Sequence, residues 1–149
     1  MIRPAETKDE PAIRQCAEKA YARYIPEINR KPAPMTADYA AQIAAGIVYV
    51  ARDEDATFQG FVVFYNQDDY VLLENVAVLP SAAGRGVGKS LISFCENAGR
   101  KLGMSAVHLY TNEKMTDNLS IYSRLGYVQV ALRTEHGFKR VYFEKNLGS

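Results

Sequence analysis

Apolar positions along this chain change their spacing several times, and each change predicts an element. Thr7 and Glu10 form a capping-box pair, and Ile13, Cys16, Ala17, Ala20 and Tyr24 follow at helical spacing. This predicts an amphipathic helix over residues 7–24. Pro26, Pro32 and Pro34 break the next stretch into a loop over residues 25–35. Thr36 then caps a second helix that stops at Gly46. Three apolar runs with strand character come next: residues 47–52, residues 58–65 with Gly60 as a bulge, and residues 70–79 ended by Pro80. Their short polar connections predict an antiparallel meander. From Gly88 the period returns to 3.6, with Leu91, Cys95, Ala98 and Leu102 on one stripe and Gly103 as the stop. A strand over residues 104–110, a helix over 114–125 closed by Gly126, and a hairpin of strands 127–133 and 138–145 complete the chain.

A strand, a helix and a strand in that order, at this length, make the strands at 70–79 and 104–110 parallel neighbours. The expected fold class is therefore α+β: a mixed, mostly antiparallel sheet of about six or seven strands, helices on both faces, and a parallel pair in the middle. Ligands of such sheets bind at the carboxyl ends of the parallel strands.

The chain has 149 residues, enough for one domain with a real core. Eighteen basic residues against seventeen acidic ones give a net charge of +1, which argues against a nucleic-acid partner. No apolar run reaches the ~20 residues that span a bilayer, and the first ten residues carry no signal-peptide core. Cys16 and Cys95 lack metal-ligand spacing and read as buried free thiols, in keeping with a cytoplasmic protein. His108 reads as a packed core residue and His136 as a solvated turn residue, so no metal site is expected.

The stretch Ala83-Gly84-Arg85-Gly86-Val87-Gly88-Lys89-Ser90 lies between a strand and a helix. Glycines let the backbone approach an anion closely. The first helix amides are unpaired, and the positive end of the helix dipole lies behind them. Arg85 and Lys89 add positive charge. The same stretch nearly matches the nucleotide-binding pattern G-x-x-x-x-G-K-[ST], with Ala83 for the first glycine. That pattern calls for an aspartate ending a later strand to help hold magnesium, whereas the next strand ends Leu109-Tyr110-Thr111-Asn112. The preceding meander also suits a nucleotide-hydrolase sheet poorly.

The loop resembles the pyrophosphate loop of the GNAT acetyltransferases, whose pattern Gln/Arg-x-x-Gly-x-Gly/Ala falls on residues 83–88, with Ala83 in place of the usual Gln or Arg. A second stretch carries the same resemblance: Asn118, then Tyr122, then Gly126-Tyr127, with Asn118 and Tyr122 on one face of a helix. The resemblance implies an N-acetyltransferase that uses acetyl-CoA. Asn118 would contact the pantetheine arm and Tyr122 would face the thioester sulfur. Leu119, Tyr122 and Leu125 also form an apolar stripe, so packing alone accounts for Tyr122 unless the upstream loop is taken with it. On the strand Leu72-Leu73-Glu74-Asn75-Val76-Ala77-Val78, Glu74 is a carboxylate in an apolar run, costly unless paired or facing a cleft. The resemblance implies that Glu74 is the base and that the Val76–Val78 backbone, Ala77 included, lies along the pantetheine. The alternative for Glu74 is a solvent-facing residue or a partner of Arg52.

On this reading Glu74 takes a proton from a primary amine, the Val76 amide stabilises the oxyanion, and Tyr122 protonates the leaving thiolate. Transfer is direct, in a ternary complex. Tyr24, Arg30, Met35 and Tyr110 are the expected acceptor-side residues, with Arg30 and Lys31 equally readable as plain surface charge. Ten tyrosines suit a small amine or amino-acid-like acceptor. Arg140 reads as an ion-pair partner on the sheet surface. A CoA-sensing module without turnover is the alternative from another class. Strand edges and the last hairpin make a homodimer an expectation as well.

Overall fold

Helix starts in this chain are set by short-range chemistry, and the details differ from the sequence expectation at the amino-terminal end. The computed structural model describes residues 1–148. Helix α1 spans Glu10–Tyr21, with Pro11 in its first turn, where an amide hydrogen is not needed. A 3₁₀ turn over Thr7–Asp9 precedes it. The capping box there is Glu6 with Asp9, whose Oδ2 accepts the Glu6 amide at 2.8 Å, and not Thr7 with Glu10. The stretch expected as a loop holds the one-turn helix α2 (Ile25–Ile28) and a 3₁₀ turn over Ala33–Met35. Pro26 sits at the start of α2, where its fixed φ suits a helix, and Asn29 ends it at φ 66°. Helix α3 (Tyr39–Ala44) is capped by Asp38, which accepts the Ala41 amide, rather than by Thr36.

The strands are β1 (Ile2–Pro4), β2 (Val48–Arg52), β3 (Phe58–Gln67), β4 (Tyr70–Val78), β5 (Ala106–Asn112), β6 (Val128–Glu135) and β7 (Phe138–Asn146), with α4 (Val87–Lys101) and α5 (Thr116–Arg124) between them. Their hydrogen-bonded order is β1-β2-β3-β4-β5-β7-β6. β4 and β5 are parallel, while β1–β2, β2–β3, β5–β7 and β6–β7 are antiparallel. This is the expected α+β mixed sheet, with seven strands. The chain forms two compact units, one of Met1–Phe64 with Asn75–Cys95, the other of Tyr65–Glu74 with the chain from Glu96 onward.

In the first unit the sheet is covered on both faces, so β3 is buried without a break from Gly60 to Phe64. Tyr49 pairs with Val62 and Val50 with Phe61, so Tyr49 and Phe61 point to opposite faces. α3 covers one face through Tyr39, edge-on to Phe61 at 5.4 Å, and α4 covers the other through Phe94, 4.9 Å from Tyr49. The ladder skips Gln59, since Ala51 pairs with Gly60 and Arg52 with Phe58, so the irregularity lies beside Gly60, which itself stays paired. Gly60 is a close-approach glycine, since a Cβ there would lie 2.5 Å from the Ala77 carbonyl oxygen.

In the second unit the odd residues form the core. Val71 pairs with Val107, Leu73 with Leu109, Leu109 with Phe143 and Thr111 with Val141. Tyr122 of α5 packs on this face, 5.9 Å from the Phe143 ring. α4 reaches it at Gly99, where a Cβ would lie 3.0 Å from Val71 Cγ2. Leu102, expected on the buried stripe of α4, is 59% exposed because the helix has already ended at Lys101. The even residues Tyr70, Leu72, Glu74, His108, Tyr110 and Tyr142 line the other face and are half-buried. His108 therefore is not a core residue: it stacks on Tyr70 at 4.0 Å, with Nε2 3.7 Å from Glu144.

Candidate active site

The loop between β4 and α4 folds as the glycine pattern requires. A 3₁₀ turn over Pro80–Ala82 leads into Gly84 and Gly86, at φ 79° and 77°. Both lie in the left-handed region that glycine enters without strain. A Cβ at either would meet nothing within 4 Å, so packing does not demand these glycines; the backbone turn does. The Ser90 amide donates to the Gly86 carbonyl at 3.0 Å, which makes Gly86 the residue that opens α4. The Val87, Gly88 and Lys89 amides are thus left without partners inside the helix, with its positive end behind them. Arg85 and Lys89 are exposed. Open amides at a helix start, with two cations beside them, are an arrangement that can hold a phosphate-like anion.

The end of β4 is held from the side. The Tyr21 hydroxyl donates toward Asn75 Oδ1 at 2.8 Å and the Val76 carbonyl at 2.9 Å. Asn75 Nδ2 donates to the Tyr39 hydroxyl at 2.9 Å, and that hydroxyl donates to the Pro34 carbonyl. Asn75 is only 8% exposed, so this network satisfies a buried amide while fixing the strand that carries Val76, Ala77 and Val78. The register of β4 on β5 runs from Tyr70 to Leu73, and β4 continues to Val78. Pattern reading places tyrosines at these positions but not their partners, so Tyr21, Tyr39 and Asn75 were not legible as a network.

Tyr122 is 7% exposed, its ring 6.0 Å from Tyr127 and 5.9 Å from Phe143. Burial pushes its phenol well above the ordinary range, so it stays protonated at neutral pH. Its hydroxyl has no hydrogen-bond partner among the described residues. Asn118, one helical turn earlier, is half-buried, with Nδ2 3.7 Å from Met115 Sδ. Glu74 lies on the even face, where the Tyr65 hydroxyl hydrogen-bonds it. Burial, then the Glu74 charge and the nearby Tyr110, raise the Tyr65 phenol. Tyr65 is a neighbour of Glu74 that spacing alone does not reveal. Arg52 pairs with Asp9 at 2.6 Å. That contact, between the end of β2 and the turn before α1, accounts for the arginine without Glu74.

Of the expected acceptor-side residues, Tyr24 and Met35 are buried, at 6% and 8% exposure, and Arg30 is exposed. Tyr24 is engaged by Arg23, whose Nη2 donates to its hydroxyl at 2.7 Å. Met35 closes the 3₁₀ turn whose Pro34 carbonyl holds Tyr39. Tyr110 sits beside Tyr142 at 5.3 Å, with the Arg140 guanidinium 4.6 Å above its ring. Burial raises the Tyr110 phenol, partly offset by Arg140 and reinforced by Glu74. Cys16 and Cys95 are buried free thiols, and burial pushes the Cys16 thiol up to about 12. Among the described residues, no group of three His, Cys, Asp or Glu is placed to hold a metal.

A sequence model described as the acetyltransferase (GNAT) domain matches residues 44–129, more than half of the chain. A search of curated proteins finds no match. The fold is similar to that of the PaiA N-acetyltransferase of Thermoplasma acidophilum, solved with coenzyme A, at TM-score 0.81, 17% identity and 98% of both chains. It is similar to the ribosomal-protein-S18-alanine N-acetyltransferase of Escherichia coli at TM-score 0.79 and 18% identity, over 100% of this chain and 94% of that one. Nourseothricin acetyltransferase aligns at TM-score 0.62 and 24% identity over 68% of this chain, which spans 65% of that protein.

Proposed function

The chain belongs to the GNAT acetyltransferase family, and from that premise we propose that it is an N-acetyltransferase acting on a primary amine of a small-molecule or amino-acid-like acceptor. Acetyl-CoA is the cosubstrate. The observation that carries the proposal is the Gly84–Gly86 turn opening onto the unpaired amides of α4. The amides of Val87, Gly88 and Lys89 hold the pyrophosphate, with Arg85, Lys89 and the Ser90 hydroxyl around it. The Ala83 position contributes backbone only. The strand backbone from Val76 to Val78 pairs with the pantetheine amides, and Asn118 contacts the same arm.

The acceptor arrives as an ammonium, with a pKa near 10 if it resembles lysine, and only the neutral amine attacks. Glu74 takes the proton, directly or through water, with the Tyr65 hydroxyl orienting its carboxylate. Attack on the thioester carbonyl makes a tetrahedral oxyanion, which the Val76 amide stabilises. Collapse of that intermediate breaks the C–S bond, and the Tyr122 hydroxyl donates to the departing sulfur. Transfer is direct, and the buried thiol of Cys95 takes no part. Tyr24, Arg30 and Met35 are assigned to the acceptor side on the family resemblance, and Tyr110 on its place beside Glu74 as well.

We further assign the whole chain to one acetyltransferase domain and place it in the cytoplasm, in keeping with its free thiols. No helix among the described residues is long and apolar enough to cross a membrane. A homodimer is favoured by β6, which ends the strand order and carries Val128, Val130 and Leu132 at 65%, 56% and 58% exposure. Sedimentation of the wild type and of Val130→Lys tests it; a monomeric wild type removes the dimer.

Thermal unfolding with acetyl-CoA, CoA and Mg-ATP tests the cosubstrate. Ligand at ~100 times its dissociation constant adds about 2.7 kcal/mol of stability. A rise with acetyl-CoA and none with Mg-ATP is the expected result, followed by an amine screen on wild type, Glu74→Gln and Tyr122→Phe. A rise with Mg-ATP alone would sink the proposal.

A further inference from the structure

The even face of the second unit holds an arginine that the acetyl-transfer scheme does not use. Arg140 lies on β7, in register with Asn112 of β5 and two register positions from Tyr110↔Tyr142, on the same face. Its side chain is 12% exposed. The guanidinium lies over aromatic rings, 4.6 Å from the Tyr110 ring centroid and 5.5 Å from that of Phe138. Its one hydrogen bond among the described residues goes to Glu135 Oε1 at 3.5 Å, the limit of such a contact. A guanidinium has five N–H donors in a rigid fork, so most of this fork is unengaged. Glu135 is held elsewhere too, since the Tyr142 hydroxyl donates to the same oxygen. Its side chain is 37% exposed, so the ion pair with Arg140 is weak.

The neighbourhood says what this fork faces. Tyr110, under the guanidinium, is electrostatically coupled to Glu74. Glu74 follows Leu73, the β4 residue paired with Leu109, so Glu74 and Tyr110 stand side by side on adjacent strands of one face. A cation over the Tyr110 ring therefore lies about one strand spacing, roughly 5 Å, from the row of the carboxylate. Contact with two rings and a side chain 12% exposed restrict the guanidinium, and its planar fork suits a carboxylate better than a point charge would.

We propose that Arg140 is a specificity-determining residue which binds a carboxylate of the acceptor, so that the acceptor is an amine bearing a carboxylate a few bonds away, as in a free amino acid. This rests on the acetyltransferase reading for the role of Glu74: the ammonium end is drawn to Glu74 and the carboxylate end to Arg140, with Tyr110 as the floor between them. Glu135 competes with the acceptor for the same fork. Neutralising Glu135 therefore strengthens acceptor binding, whereas a purely structural Arg140–Glu135 pair would make its loss neutral or harmful.

The test uses matched ligands, the free L-amino acids and their carboxamides, with the CoA-saturated protein for binding and acetyl-CoA for turnover. Wild type is expected to bind the carboxylate member of the preferred pair at least about tenfold more tightly, a difference of about 1.4 kcal/mol. Arg140→Met, which keeps the packing on Tyr110, is expected to erase that preference and leave the carboxamide unchanged. Arg140→Lys is expected to restore part of it, and Glu135→Gln to raise it severalfold. Equal binding of both members by wild type, no binding of either, or a preference that survives in a folded Arg140→Met, overturns the proposal. Carboxylate-selective binding without turnover upholds the subsite and counts against the catalytic reading instead. Absence of an acetyl-CoA effect on unfolding overturns the acetyltransferase reading itself.

Discussion

The Tyr21 hydroxyl sits 2.9 Å from the Val76 carbonyl oxygen, joining the last turn of α1 to the end of β4. Fifty-five positions separate the two residues. With Asn75 and Tyr39 they form a polar chain inside the first unit, at the strand proposed to carry the pantetheine. Tyr21→Phe removes the donor to both acceptors. The expected cost is about 1 kcal/mol of folding stability by urea titration. The acetyl-CoA KM should rise, with kcat changed less, because the strand is misplaced while the reacting groups remain. A kcat loss with KM unchanged would place Tyr21 in the chemistry instead.

The two kinds of glycine in this fold should respond differently to alanine. Gly60→Ala drives a Cβ to 2.5 Å from the Ala77 carbonyl oxygen, a backbone atom that cannot rotate away. Overpacking of this kind costs about 1–3 kcal/mol. Gly86→Ala meets no neighbour but leaves a non-glycine residue at φ 77°. Its stability loss should be about 1–2 kcal/mol, and acetyl-CoA affinity should fall further because the cradle itself relaxes. Calorimetric titration of both variants with CoA separates the effects. Equal CoA affinity in Gly86→Ala and wild type would count against the loop as the phosphate site.

Asp9 predicts an acid-sensitive amino-terminal cluster. It is 1% exposed, with Arg3 at 3.0 Å and Arg52 at 2.6 Å. Burial alone would raise its carboxyl, but hydrogen bonds from Arg3, the Glu6 amide and Arg52 outweigh it and hold the group at about 2, below the ordinary 3.8. A carboxyl depressed on folding stabilises fully above its unfolded value and loses that contribution as pH falls through its folded one. The window is therefore from about pH 4 down to about pH 2, and the contribution is about 2 kcal/mol. Wild type should lose this amount across the window relative to Asp9→Asn, as measured by denaturant titration at each pH. Parallel stability curves for the two proteins would remove the cluster from the acid response.

Tyr122→Phe should leave stability within about 1 kcal/mol of wild type, because the hydroxyl it deletes has no hydrogen-bond partner among the described residues. Its kcat should fall by about 10²-fold or more, the usual loss when a positioned proton donor is removed. Burial raises the Tyr122 phenol, so its own ionisation should not appear in the rate up to about pH 10. A fall in stability with kcat preserved would identify the tyrosine as packing alone.

Features that depend on neighbours in sequence were legible in advance. The apolar strand runs at residues 70–79 and 138–145, the glycines at 84, 86 and 88, and the stop at Gly103 all act within a few residues. Each conformational cost is local, so its signal survives without knowledge of the fold. The parallel β4–β5 pair followed from the length of the crossover between them. The amino-terminal caps were misjudged because several acceptors compete there: Asp9 and Asp38, not Thr7 and Thr36, have the oxygen in reach of an amide. The turns over Ile25–Ile28 and Ala33–Met35 were hidden by prolines, which break long helices yet open short ones.

By itself the sequence determined the mixed α+β sheet and the family, and it located the glycine turn of the proposed phosphate loop. Periodicity and glycine turns are properties of adjacent residues. What only the tertiary structure decided is which polar side chains meet. Tyr21 finds Asn75, Tyr65 finds Glu74, and Arg140 comes to rest on Tyr110. Such pairings join strands and helices distant along the chain, and hydrogen bonds and cation–π contacts leave no periodic trace in sequence. They are selected when apolar packing fixes the strand register, because a one-residue slip would carry every one of these side chains to the opposite face.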